Sequence, residues 1–185
     1  MKEALLEPVL RAMRLSRVIK HINPGTKLLD IGCGVNANFL KSLSGKLDQG
    51  YGLDFKVDTQ TPENIHLQQS YLTDKLPFED NFFDYVTMLA VLEHIEYDVD
   101  ILKEIKRVLK PNAKLILTVP SVWSQPVLEF LAFKIKIVSA TEIADHKRYY
   151  NFENLHKSII EDSGFTSMSH RYFQLRMNNF CIAIK

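Results

Sequence analysis

A five-residue run, Lys27-Leu28-Leu29-Asp30-Ile31, breaks at Gly32-Cys33-Gly34 and passes at once into sequence with helical spacing. Parallel strands need a crossover between them, so a strand that hands over to a helix this abruptly opens a βα unit. The alternation continues with a helix over 36–46, YGLDF at 51–55, IHLQ at 65–68 and FDYVTML at 83–89. A helix at 98–109 is stopped by Lys110-Pro111-Asn112, and KLILTVP at 114–120 reads as the fifth strand. An apolar segment at 126–139 precedes a helix over 152–162 that ends at Ser163-Gly164. Strand-like stretches at 165–174 and 179–184 have little more than Met177-Asn178-Asn179 between them, which makes them a hairpin. Before all of this, residues 3–21 set Leu5, Leu6, Val9, Leu10, Met13, Val18 and Ile19 in a helical stripe that ends at Asn23-Pro24-Gly25. An N-terminal helix within 1–22 should therefore cover the sheet. The class is α/β: a three-layer arrangement of seven strands, mostly parallel with one antiparallel strand in the C-terminal hairpin, and helices on both faces.

At 185 residues and 46% hydrophobic, the chain is sized for one domain, 1–185, with a real core. A net charge of +1 gives no general attraction to nucleic acid or anionic surfaces, so no nucleic-acid partner is expected. The first residues alternate apolar and charged side chains, unlike a signal peptide, and no run approaches the ~20 apolar residues of a membrane span. Cys33 and Cys181 lie far apart without metal-ligand spacing. A reduced cytoplasmic setting and no metal follow as expectations.

The glycine turn lets a ligand approach backbone that carries no Cβ, with free N–H groups at the start of the following helix. Asp54 closes the next strand, 24 residues after Asp30, placed to accept hydrogen bonds from both hydroxyls of a ribose. The pair reads as a site for an adenosine nucleoside. Gly32-Cys33-Gly34-Val35-Asn36-Ala37 also satisfies a dinucleotide pattern formally, which keeps an NAD(P)-linked oxidoreductase open. Asp30, two residues before the first glycine, opposes that: it would repel a pyrophosphate but suits an ammonium and a sulfonium.

LLDIGCG, Gly52-Leu53-Asp54, LPFEDNFFDYVTMLAVLEHI (76–95) and LKEIKRVLKPNAKLILTVP (102–120) occur in this order. Together they resemble the class I S-adenosylmethionine-dependent methyltransferases, small-molecule branch, whose sheet is Rossmann-like. The resemblance implies that Asp30, Gly32, Cys33 and Gly34 hold the methionine part of S-adenosylmethionine, with Asp54 on the ribose. Asn36 stands where the family has a third glycine and is expected to tolerate a left-handed backbone. Leu53 and Phe55 would flank the adenine. Tyr71 and Leu72 fall where the family has an acid that meets its amino group, with Asp74 nearby but out of register; Leu89 would close the site at the end of the fourth strand. Asn112-Ala113 replaces a pair of glycines.

Methyl transfer from a sulfonium asks chiefly for alignment and exclusion of water, and for a base only if the nucleophile must lose a proton. By the same resemblance His94 would lie near the transferred methyl, and the stretch 121–150 would cap the acceptor, a small molecule. His146 and Tyr150 are candidate catalytic residues there; Trp123 and Tyr149 are candidate substrate contacts. Glu93 and His94 could equally orient the loop, and the tyrosines could pack on the sheet. A cofactor-binding or scaffolding protein without its own turnover is the other alternative.

Overall fold

The computed structural model describes residues 7–58, 60–72, 75–130 and 147–185. Its strands are β1 (Lys27–Ile31), β2 (Gln49–Asp54), β3 (Ile65–Gln69), β4 (Phe83–Leu89), β5 (Leu109–Pro120), β6 (Ser167–Phe173) and β7 (Asn178–Ile184), side by side in the order β3-β2-β1-β4-β5-β7-β6. Only β7 runs against its neighbours, pairing antiparallel with both β5 and β6. The strand order reverses between β1 and β4. In open α/β sheets that reversal leaves a crevice beyond the carboxyl ends of the two strands, where ligands sit.

Side chains alternate across each strand, so the sheet divides the core into two layers. Leu29, Ile31, Val86, Met88, Leu115 and Leu117 pack with Ile101, Leu102, Ile105 and Val108 of α3 (Asp98–Val108). On the other face Leu28, Tyr85 and Ile116 meet Val18 of α1 (Glu7–Ile19) and Phe39, Leu40 and Leu43 of α2 (Asn38–Leu43). Two residues beyond Leu28 and Tyr85, Asp30 and Thr87 stand on that second face beside each other in register. α3 carries Asp98 and Asp100 in its first turn and Lys106 and Arg107 in its last, the arrangement its dipole favours.

Several expectations need correcting. The left-handed residue after the glycine turn is Ala37 (φ 45), not Asn36, so α2 begins only at Asn38. β5 begins at Leu109 and runs through Lys110-Pro111-Asn112; the proline ends α3 but sits at an irregularity of the ladder, where a strand tolerates it. Asn112 takes the left-handed conformation there (φ 64). The hairpin turns at 174–177, since Asn178 and Asn179 already pair with Phe173 and Tyr172. Beyond β5 come a 3₁₀ turn (Val122–Ser124) and α4 (Gln125–Phe130). The helix expected over 152–162 is α5 (Phe152–His156) followed by a π turn (Lys157–Asp162), closed by the Ser163 hydroxyl donating to the Ser158 carbonyl at 2.6 Å. His146 and Asp74 lie outside the described residues, as do 131–139 of the apolar segment.

Tyr150 is also corrected. It is 2% exposed, and its hydroxyl donates to Asp98 Oδ2 at 3.1 Å while Arg148 holds Asp98 Oδ1 at 2.6 Å. Burial pushes the phenol's ionisation upward. A hydroxyl committed to the first turn of α3 ties the 147–150 segment to the sheet and is not presented to an acceptor. Tyr150→Phe should lower stability by about 1–2 kcal/mol in equilibrium denaturation, the loss of one buried bond to a charged group. An unchanged stability would show that Asp98 does not hold it.

Candidate active site

Gly32 and Gly34 both lie at positive φ, 75 and 73. The end of β2 builds their turn: Gly32 and Cys33 donate their N–H groups to the Leu53 carbonyl at 2.8 and 3.2 Å, and Gly34 donates to Asp54 Oδ2 at 2.9 Å. The two glycines differ in what they face. A Cβ on Gly32 would come 2.3 Å from Val91 Cγ2, whereas one on Gly34 would meet nothing within 4 Å. Gly32 is thus needed for packing against the loop after β4, and Gly34 has open space before it among the described residues. Asp54 is half-buried, with Oδ1 accepting only a long bond from the Lys56 N–H at 3.3 Å. Its carboxylate retains acceptor capacity for a ligand's hydroxyls.

Asp30 is 3% exposed and accepts from the Thr87 hydroxyl at 2.6 Å. Burial pushes its carboxyl up to about 7, with the Asp54 charge acting in the same direction and the Thr87 bond against it. An acid held at the edge of ionisation would be drawn to its charged form by a cation arriving in the crevice.

The remaining predicted residues separate. Phe55 and Tyr71 are exposed, at 63% and 72%, and Asn36 is exposed in the turn. Leu72 and Leu89 are half-buried, each packed against a core layer. Leu53 is fully buried in the core, so it does not flank a ligand as expected. Cys33 is buried and its thiol is pushed up to about 12 by burial, which leaves it unreactive. On the other side of the crevice, His94 ends the 3₁₀ turn Leu92–His94, half-buried. Trp123 is 62% exposed just beyond β5, and Tyr149 is half-buried.

Sequence reasoning did not single out Thr87, Val91 or Thr118, and it gave Glu93 only an orienting part. Glu93 is 1% exposed, and its Oε2 has no hydrogen-bond partner among the described residues; burial pushes the carboxyl up to about 8, opposed in part by a backbone hydrogen bond and by Arg14. Thr118 Oγ1 is likewise buried without a partner among the described residues. The Ala90 N–H donates to the Thr118 carbonyl at 2.8 Å, and the Lys147 N–H to the Glu93 carbonyl at 2.8 Å. These contacts tie the loop after β4 to the end of β5 and to the segment before Tyr150. The signal available in sequence was a threonine inside each of two otherwise apolar strands, FDYVTML and KLILTVP.

The strand order, with the glycine turn and the carboxylate at the tip of β2 placed beyond its switch point, is a Rossmann-like fold of the kind that class I methyltransferases share. Residues 29–117, a little under half of the chain, match the family model described as "Methyltransferase domain". Among curated relatives, the demethylmenaquinone methyltransferase of Bacillus mycoides is 38% identical over 110 residues, 53% of this chain and 46% of that protein. Its counterpart in Bacillus cereus is 40% identical over the same length. The chain thus spans about half the length of the curated relatives it matches. Among solved structures, a SAM-dependent methyltransferase from Archaeoglobus fulgidus superposes with a TM-score of 0.69 at 20% identity, over 95% of this chain and 93% of that one. Phosphoethanolamine N-methyltransferase 2 of Haemonchus contortus, in complex with S-adenosyl-L-methionine, gives 0.71 at 17% identity, over 93% and 52%. At these identities the likeness is one of fold.

Proposed function

We propose that this chain transfers the methyl group of S-adenosylmethionine to an apolar or aromatic small molecule. One observation carries the proposal: the Gly34 N–H is fixed by Asp54 at the tip of β2, while a Cβ on the same glycine would meet no described atom within 4 Å, in the turn that follows the strand bearing the buried carboxyl of Asp30. These residues fit the cofactor. Asp30 would meet its ammonium, the backbone of Gly32 to Gly34 its methionine chain, and Asp54 its ribose hydroxyls, with Phe55 and Tyr71 exposed beside the adenine position. When bound, the cofactor supplies a sulfonium-borne methyl group for in-line displacement.

The chain's own part is then to align the acceptor and exclude water, contributions worth roughly 7–11 kcal/mol when geometry is good. Glu93, His94 and Thr118 supply the polar atoms on the acceptor side. Glu93 or His94 takes the proton if the nucleophile must lose one. Trp123 supplies an aromatic surface, and the relatives' acceptor, named as a demethylmenaquinone, belongs to the same apolar class. Both cysteines are free and buried, in keeping with a reducing cytoplasm.

Asp54→Ala removes a charge-assisted contact and the clamp on Gly34 together, so affinity for S-adenosylhomocysteine should fall by about 1.5–3 kcal/mol in calorimetry. Wild-type affinity would take Asp54 out of the site. His94→Ala should keep cofactor affinity within about threefold, or ~0.65 kcal/mol, while turnover falls. The measurement is transfer of isotopically labelled methyl to a panel of quinols and phenols, read by mass spectrometry. Cofactor binding with no labelled product on any acceptor would favour a cofactor-binding protein without turnover; thermal stabilisation by NAD(P) alone would favour the oxidoreductase.

A further inference from the structure

Residues 95–97 join the 3₁₀ turn that ends at His94 to the start of α3, and Tyr97, the residue before that helix, makes no capping bond with its side chain. One short segment braces this loop. The Lys147 N–H donates to the Glu93 carbonyl at 2.8 Å. The Arg148 guanidinium then divides: Nη2 donates to the Glu96 carbonyl at 2.8 Å, and Nη1 meets Asp98 Oδ1 at 2.6 Å. The Tyr150 hydroxyl donates to the other oxygen of Asp98. His94 thus sits between the Lys147 bond on one side and the two Arg148 bonds on the other.

The bracing segment is fixed in turn to the end of β5. The Tyr150 N–H donates to the Pro120 carbonyl at 3.2 Å, and the Tyr150 carbonyl accepts from the Val122 N–H at 3.1 Å and from Asn179 Nδ2 at 3.0 Å. Asn179 is fully buried, and its Oδ1 lies 2.8 Å from His170 Nε2. Segment 147–150 therefore sets the spacing between the loop that carries His94 and the turn that carries Trp123, the residue after Val122. A guanidinium suits the junction: its donors form a rigid planar fork, whereas an ammonium is a compact point charge on a flexible stem.

We infer that Arg148 is a positioning residue for His94: its two bonds to the Glu96 carbonyl and Asp98 fix the path of the loop and, with it, the place of the imidazole relative to an acceptor at Trp123. The inference rests on the proposed methyl transfer, in which His94 stands on the acceptor side. Alignment is the chain's main contribution to that reaction, and an error of about 1 Å in it can cost on the order of a hundredfold in rate. Arg148 reaches this alignment through His94, without touching the acceptor itself.

The test uses Arg148→Lys, which keeps a charge beside Asp98 and removes the second arm, with Arg148→Gln as a second variant. Transfer of labelled methyl to the quinol and phenol panel should show kcat about tenfold lower, acceptor KM within about twofold and unchanged affinity for S-adenosylhomocysteine. In a His94→Ala background the same substitutions should lower kcat no further, because the group they act through is gone. Tyr150→Phe should instead lose stability and keep its kcat. In protein carrying isotope-labelled histidine, the His94 ring resonances, assigned by their loss in His94→Ala, should move in both Arg148 variants while those of His21, His66 and His170 stay in place. That readout needs no acceptor: the absence of labelled product on any acceptor sinks the methyl-transfer reading, whereas unmoved His94 resonances overturn this inference. Equal losses of kcat with and without His94 would overturn it too.

Discussion

Gly34→Val is expected to give a folded protein that has lost about a hundredfold or more of its affinity for S-adenosylhomocysteine, a difference of roughly 2.7 kcal/mol or more. The two glycines of the turn make this more than a generic statement about glycine. At Gly34 an added Cβ meets no atom of the described residues within 4 Å, so the main cost to the fold is the left-handed conformation, about 1–2 kcal/mol. What the side chain enters is the open space beside the glycine turn, where the proposed cofactor would lie. Gly32→Val should behave differently, because its Cβ would lie 2.3 Å from Val91 and force the loop after β4 to move. It should lower the melting temperature well below that of Gly34→Val. Calorimetry and thermal melts on both variants check the contrast; a Gly34→Val protein that binds normally would make the turn purely structural.

Asp30 should produce the other large effect, opposite in sign for stability and for binding. Its folded-state carboxyl titrates at about 7 rather than the ordinary 3.8 because burial disfavours the charge. A raised pKa means that the group's contribution to stability is fully present below 3.8 and is lost as pH rises to about 7. At ~1.4 kcal/mol per unit, the loss is on the order of a few kcal/mol. The free protein should therefore be destabilised on going from pH 5 to about pH 8, with Glu93, raised to about 8, acting in the same sense. Asp30→Asn removes the Asp30 part and should raise the melting temperature at alkaline pH. A cofactor ammonium favours the ionised carboxylate, so binding should tighten as pH rises toward about 7 and should release a proton below it. Asp30→Asn should weaken binding and abolish that proton release, measured by calorimetry in buffers of different ionisation enthalpy. A variant that melts lower and still releases the proton would mean that Asp30 is not the titrating group.

The strands were legible because buried parallel strands are short, apolar and bounded: KLLDI and FDYVTML coincide with β1 and β4 residue for residue. Boundaries failed where tertiary contacts override local signals. Lys110-Pro111-Asn112 ends a helix and sits inside a strand because the proline falls at an irregularity of the ladder. The proposed cofactor half of the site has a sequence signature because backbone geometry demands glycine and a ribose would demand a carboxylate at fixed places. The acceptor half rests on side chains whose role depends on burial and partners. Tyr150 is a short step from Tyr149 in sequence, yet its hydroxyl is bonded to Asp98 in the interior. Thr118 and Glu93 gain their interest only from side-chain oxygens buried without a partner among the described residues, which no spacing reveals.

The most direct measurement is a calorimetric titration of S-adenosylhomocysteine into the wild-type chain, with NAD titrated in parallel. Saturable one-to-one binding of S-adenosylhomocysteine and none of NAD is the predicted result. Heat from NAD alone, or from neither ligand with the protein folded, would contradict the assignment of the crevice between β1 and β4 as a site for S-adenosylmethionine.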